Sequence, residues 1–186
     1  KRQVRVESGP GVRTLTLSRP HVHNALGRRL RDELCDALTV ALDDPAAPEV
    51  VLRGAGPSFC SGGDLSEFGS FPDPASAHRT RLARHPARLM ARLAERTTVF
   101  LHGACLGAGI ELPAFARRGV ADSSASIGLP EISLGLIPGA GGTVSLPRRI
   151  GRHRTAWLAL TGARVDARTA LAWGLVDEVL DSPGSG

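Results

Sequence analysis

The chain has 186 residues, of which 42% are hydrophobic, a length and composition that give one domain with a sizeable core and exclude global disorder. No apolar run approaches the about 20 residues of a membrane-spanning helix, which argues against an integral membrane protein. The net charge is +5, and arginine supplies all but one of the 23 basic groups; with no Tyr, five Phe and two Trp to interleave with them, the basic character does not read as a nucleic-acid surface.

Cys35, Cys60 and Cys105 are odd in number and widely spaced, so they form neither a disulfide framework nor a zinc pair. A reducing cytoplasm suits them. The first residues, Lys1 to Arg5, lead into no apolar region, and no secretory signal is expected. The expected organisation is one domain over 1–181 and a loose Ser/Pro/Gly tail over 182–186.

In chain order, residues 12–18 alternate as a strand that Arg19-Pro20 breaks. Asn24 has the residue type of a helix N-cap. Leu26, Leu30, Leu34, Leu38 and Leu42 then recur every four residues, which predicts an amphipathic helix. Residues 49–53 read as a short buried strand and 54–63 as a Gly/Pro/Ser loop. Residues 75–95 are helical by leucine spacing, with Pro86 dividing them.

Residues 97–102 form another apolar strand. It runs into Gly103 to Gly109 and a helix carrying Glu111, in which Pro113 crowds the preceding turn and predicts a kink. Residues 119–127 read as a strand, 155–160 and 166–173 as helices, Gly174 as a C-cap and 175–180 as a last strand. Strands alternating with helices predict an α/β architecture with parallel strands.

Two loops repeat one layout, an apolar strand followed by a tight glycine turn and a helical start: Phe59-Cys60-Ser61-Gly62-Gly63-Asp64-Leu65, and 102–111. Backbone N–H groups at such turns lack helical partners and carry partial positive charge. Facing one another they would form an oxyanion hole; the glycines alone fit two ordinary strand–helix turns better. Glu111 and Glu131 can serve as an acid/base pair, or as first-turn carboxylates favoured by a helix dipole or by the proline before Glu131. Cys60 reads as a small buried thiol rather than a nucleophile, and His102 as a hydrogen-bonded residue at a strand end. His21, His23 and His102 lack metal-ligand spacing, so no metal site is expected. The glycine runs match neither a dinucleotide fingerprint nor a P-loop.

Five stretches together resemble the crotonase, or enoyl-CoA hydratase/isomerase, superfamily across residues 12–180. They are Ser18-Arg19-Pro20 with Asn24-Ala25-Leu26; Phe59 to Leu65; His102-Gly103 through Gly107-Ala108-Gly109-Ile110-Glu111-Leu112; Pro130-Glu131-Ile132 through Gly135 to Thr143; and Leu160-Thr161-Gly162 through Ala172-Trp173-Gly174-Leu175-Val176-Asp177. The resemblance implies a crotonase-like spiral of repeated β-β-α units with a short or missing C-terminal helical part.

It further implies that the N–H groups of Gly63 and Ala108 form an oxyanion hole for an acyl-CoA thioester. Asn24, Ala25, Leu26, Ser61, Gly62, Gly63, Asp64, Leu65, Ser66, Gly107 and Ala108 would line the substrate cleft. Glu111 and Glu131 would be the catalytic pair of an enoyl-CoA hydratase with no cofactor beyond the coenzyme A of its substrate. Arginines such as Arg28 and Arg29 would hold the CoA phosphates, and the assembly would be a homotrimer or hexamer without nucleic-acid or membrane partners. An isomerase, another crotonase-type acyl-CoA enzyme, or a catalytically dead acyl-CoA-binding subunit are the alternatives.

Overall fold

The computed structural model describes residues 1–44, 49–67 and 85–181. The part of the predicted 75–95 helix before His85 and the 182–186 tail lie outside these residues.

The hairpin β1 (Val4–Gly9) and β2 (Val12–Leu17) opens a six-stranded sheet that continues through β3 (Glu49–Gly54), β4 (Thr97–Leu101), β6 (Arg118–Asp122) and β9 (Glu178–Leu180), in that spatial order. Among the described residues of this sheet the β1–β2 pair alone is antiparallel. A second, three-stranded sheet has the order β5 (Ala104–Leu106), β7 (Ser126–Gly128), β8 (Arg164–Asp166). Each pass therefore uses a strand of the large sheet and then a short strand of the small one before a helical segment follows. β4 leads to β5 and β6 to β7. β3 contributes through Cys60, which bridges Cys105 of β5. This is the expected β-β-α spiral.

Helix α1 (Arg28–Asp43) buries Leu30, Leu34 and Leu38 at 0–1% exposure. At roughly 1.5–3 kcal/mol for each fully buried leucine, this stripe anchors the helix to the core. α1 packs against β1 and against α2 (Pro86–Arg92), which starts at Pro86 because a proline fits the first helical position. Two expectations change here. The N-cap of α1 is Gly27, not Asn24, and Leu26 lies before the helix in a bridge to Gly63. The expected strand over 119–127 is two strands, β6 and β7, one in each sheet.

Helix α3 is a single turn (Ala108–Glu111) and passes into a 3-10 turn at Pro113–Phe115. Pro113 thus ends the α-helix instead of kinking it, and Glu111 keeps its place in the first turn. A long helix α4 (Gly142–Thr161) breaks at Gly151, and α5 (Ala167–Trp173) ends on Gly174 in the left-handed conformation. The Asp166 side chain caps α5 by accepting the Thr169 N–H. Among the described residues no helix is long and apolar enough to cross a membrane.

Candidate active site

The two glycine loops interlock. Cys60 donates its N–H to the Ala104 carbonyl and accepts that of Leu106, both at 3.0 Å, so the first loop extends the small sheet beside β5. A Cβ added to Gly109 would stand 2.2 Å from the Cys60 carbonyl oxygen. Only glycine allows α3 to start this close to the first loop.

Gly63 is fixed from its other side. The Leu26 N–H donates to Gly62 O at 2.7 Å, and the Asp64 N–H donates to Leu26 O at 3.4 Å. In a parallel bridge of this pattern the residue between the two bonded groups turns its own N–H away from the partner strand. The Gly63 N–H therefore points out of the bridge and has no hydrogen-bond partner among the described residues.

The second loop turns at Gly107, φ +51°, whose N–H donates to Gly128 O. The Gly107 carbonyl accepts the N–H groups of Ile110 and Glu111, each at 2.9 Å. Ala108 is the first residue of α3, so its N–H has no intrahelical acceptor, and none is found among the described residues. A Cβ built on Gly107 would lie 3.8 Å from the Gly62 Cα. That contact brings the Gly62–Gly63 and Gly107–Ala108 peptides side by side.

Glu111 is 1% exposed. Its Oε2 accepts the N–H groups of Ala140 at 2.9 Å and Gly142 at 2.8 Å, from the glycine turn that opens α4. Burial is the main cause that pushes its pKa up to about 7. The Gly142 N–H opposes the shift, and the neighbouring Glu131 charge adds to it.

Glu131 is half-buried in the 3-10 turn Pro130–Leu134, and burial raises its pKa as well. Its Oε1 sits against Gly107, 2.5 Å from where a Cβ would stand, and its Oε2 is buried without a partner among the described residues. The two carboxyl groups are near enough for each to influence the other's titration. Two buried carboxylates this close repel one another, which favours keeping a proton on the pair. The arrangement joins a pair of neighbouring buried carboxyl groups to two outward-facing peptide donors. It can take a proton from one atom, give one to another and stabilise negative charge on an oxygen.

The other expected site residues divide. Leu26, Gly62, Gly63 and Asp64 meet in the bridge. Leu65 and Ser66 are exposed beyond it, and Ser61 is tied back to the 18–26 turn through its N–H to His23 O. Asn24 lines nothing: it is 0% exposed, and its Nδ2 donates to the carbonyls of Ala55, Ser58 and Phe59 while its Oδ1 accepts the Arg19 N–H. It braces the turn that carries Ala25 and Leu26. Arg29 is paired with Glu33 four residues on.

Cys60 is buried and its thiol is pushed up to about 11 by that burial, which leaves too little thiolate for a nucleophile. His102 donates its Nε2–H to Gly56 O at 2.8 Å, as a structural residue at a strand end does. No cluster of three metal-ligating side chains occurs among the described residues. The roles of the Ala140 and Gly142 N–H groups and of Arg19 are not legible in the sequence. Backbone donors leave no residue-type signal, and Arg19 acts on residues distant in the chain.

A family model described as enoyl-CoA hydratase/isomerase matches residues 7–183. The chain is 36% identical over 184 residues to an enoyl-CoA isomerase/hydratase of Mycosarcoma maydis, covering 94% of this chain and 66% of that protein. It is 36% identical over 174 residues to the 2,3-dehydroadipyl-CoA hydratase of Escherichia coli, covering 92% and 66%. The chain thus spans 66% of the length of these relatives. Among solved structures, an enoyl-CoA hydratase from Thermoplasma volcanium superposes with a TM-score of 0.90 at 36% identity, covering 98% of this chain and 73% of that one. One from Mycobacterium smegmatis gives 0.90 at 30%, covering 97% and 71%.

Proposed function

The chain belongs to the enoyl-CoA hydratase/isomerase family, and on that premise we propose that it adds water across the 2,3 double bond of a 2-enoyl-CoA thioester. The observation that carries this reading is the neighbouring buried carboxyl pair Glu111 and Glu131 beside the Gly62–Gly63 and Gly107–Ala108 peptides. Water oxygen bonds to C3 and gives up a proton to a carboxylate. The electron pair of the double bond moves towards the thioester oxygen as an enolate forms, and C2 takes a proton from the carboxyl pair. The atoms of one water are consumed, and no electron acceptor enters.

Charge developing on the thioester oxygen meets the N–H groups of Gly63 and Ala108. One such donor is typically worth ~10²–10³ in rate. The buried, partnerless Oε2 of Glu131 is a natural acceptor for the attacking water. Coenzyme A enters with the substrate, its phosphates taken by surface arginines and backbone N–H groups, and the reading includes no further cofactor. A homotrimer in the cytoplasm belongs to the same reading. Its support is the apolar run Ile132, Leu134, Leu136 and Ile137, exposed at 39–81% beside the site; light scattering tests it, and a monodisperse monomer overturns it.

The test of the activity is incubation with a 2-enoyl-CoA and with its 3-enoyl isomer, followed through the absorbance of the conjugated thioester. Loss of absorbance from the 2-enoyl substrate is expected. A gain from the 3-enoyl substrate without hydration makes the protein an isomerase, and tight binding without either change makes it an acyl-CoA-binding subunit.

A further inference from the structure

Arg19 stands outside the residues to which a substrate contact has been given, yet its guanidinium reaches the oxyanion donor through a continuous line of hydrogen bonds. Its Nη1 donates one hydrogen to the Ala25 carbonyl at 2.7 Å and the other to Asp64 Oδ2 at 2.9 Å. The Ala25 carbonyl belongs to the same peptide group as the Leu26 N–H. That N–H donates to Gly62 O at 2.7 Å. The Gly62 carbonyl, in turn, shares a peptide group with the Gly63 N–H, which points out of the bridge. The line therefore runs from a fixed cation through two peptides and ends on the donor that faces the site.

We propose that Arg19 is the positioning residue that strengthens and aims the Gly63 N–H, resting on the reading of that N–H as an oxyanion donor. Hydrogen bonds in series polarise one another, and the strongest start from an ionised donor. A cation on the Ala25 oxygen makes the Leu26 N–H a better donor. That bond draws electron density to the Gly62 oxygen and leaves the Gly63 N–H more positive. The guanidinium also holds both strands of the bridge, because Ala25 and Asp64 flank Leu26 and Gly63.

The two halves of the hole are thus polarised differently. The Gly107 carbonyl accepts two N–H groups of α3, so the Ala108 N–H draws on a helix start. The Gly62 carbonyl, which shares its peptide with the Gly63 N–H, accepts the Leu26 N–H and the Cys60 thiol and no helical N–H among the described residues, and Arg19 takes the helix's place. The side chain of Arg19 is 16% exposed and that of Asp64 13%, so water screens the pair only in part. The Asp64 carboxyl is held below the usual carboxylate range by its hydrogen bond from the Ser66 hydroxyl and by Arg19, and it stays ionised to anchor the guanidinium.

The test uses the whole chain with Arg19→Lys and Arg19→Met. The first readout is exchange of the Leu26 and Asp64 amide hydrogens, which needs no substrate; Arg19→Met speeds it about tenfold or more. The second is the red shift of a chromophoric 2,4-dienoyl-CoA on binding, which reports carbonyl polarisation. Arg19→Met shrinks the shift, and Arg19→Lys, which keeps a cation at the head of the line, restores part of it. With a turned-over enoyl-CoA, kcat falls about tenfold in Arg19→Met at nearly unchanged KM, less than the ~10²–10³ lost with a whole donor. A full red shift in Arg19→Met overturns the proposal, whether or not the amides loosen. If Arg19→Met fails to fold, Arg19→Lys carries the test, and the proposal falls if its shift equals the native one while its Leu26 and Asp64 amides exchange faster. A native protein that shifts no thioester overturns the hydratase reading and the purpose assigned to Arg19 with it.

Discussion

Gly142 donates its backbone N–H to Glu111 Oε2 over 2.8 Å, and a Cβ placed on Gly142 would come within 2.6 Å of the Glu111 Cγ. The glycine therefore both grips the carboxylate and leaves it room. Gly142→Ala should push Glu111 out of line with Glu131. We expect kcat to fall by at least ~10-fold, since misplacing a catalytic group by about 1 Å can cost ~10². KM should change little, and steady-state kinetics on a 2-enoyl-CoA checks this. An alanine variant with native kcat would show that the position of Glu111 does not matter.

The raised pKa of Glu111 has two consequences, one for stability and one for activity. In the unfolded chain its carboxyl titrates near 4.5 and in the fold near 7. Folding thus favours the protonated acid, so its stabilising contribution is complete below pH 4.5 and is lost as pH rises through about 7. Urea unfolding across this window should show native stability falling relative to Glu111→Gln, whose side chain does not titrate. Activity should move the same way: C2 takes its proton from the carboxyl pair, so kcat/KM should fall as that proton is lost through about pH 7. Equal pH slopes for the two proteins in unfolding would contradict the buried, shifted carboxyl.

Asn24 separates a structural role from a binding one. Its amide holds three backbone carbonyls in a site with no access to water. Asn24→Ala leaves those oxygens short of donors, at ~1–3 kcal/mol for each one left unsatisfied. We expect unfolding midpoints to drop accordingly, while the KM for acyl-CoA in the folded fraction stays near native. A raised KM at native stability would return Asn24 to the cleft.

These residues also mark what a linear reading can reach. The leucine spacing of α1 and the strand–glycine–helix layout of both loops were legible because helices and turns are written in neighbouring residues. Glu111 and Glu131 were legible as a pair only through the resemblance, since 20 residues of chain say nothing of their distance. Asn24 looked like a cap because its residue type suits one; the carbonyls that claim it lie 31 to 35 residues away. Arg19 was visible in the first motif and carried no role there, because Asp64 is 45 residues away and the Ala25 and Gly62 oxygens belong to the backbone. Pro113 predicts a kink in α3, but a single-turn helix ends before the proline ring can disturb it.

The central claim is that Glu111 and Glu131 act together on one water, and replacing each with glutamine tests it most directly. Glutamine keeps the shape and removes the proton chemistry. Measured with a 2-enoyl-CoA, each single change should lower kcat by ~10²–10⁴ with KM little altered. The double change should cost less than the product of the two, because residues acting as a unit are not additive. Full turnover in both Glu111→Gln and Glu131→Gln would contradict the account, and loss confined to one of them would assign the protein to isomerisation instead.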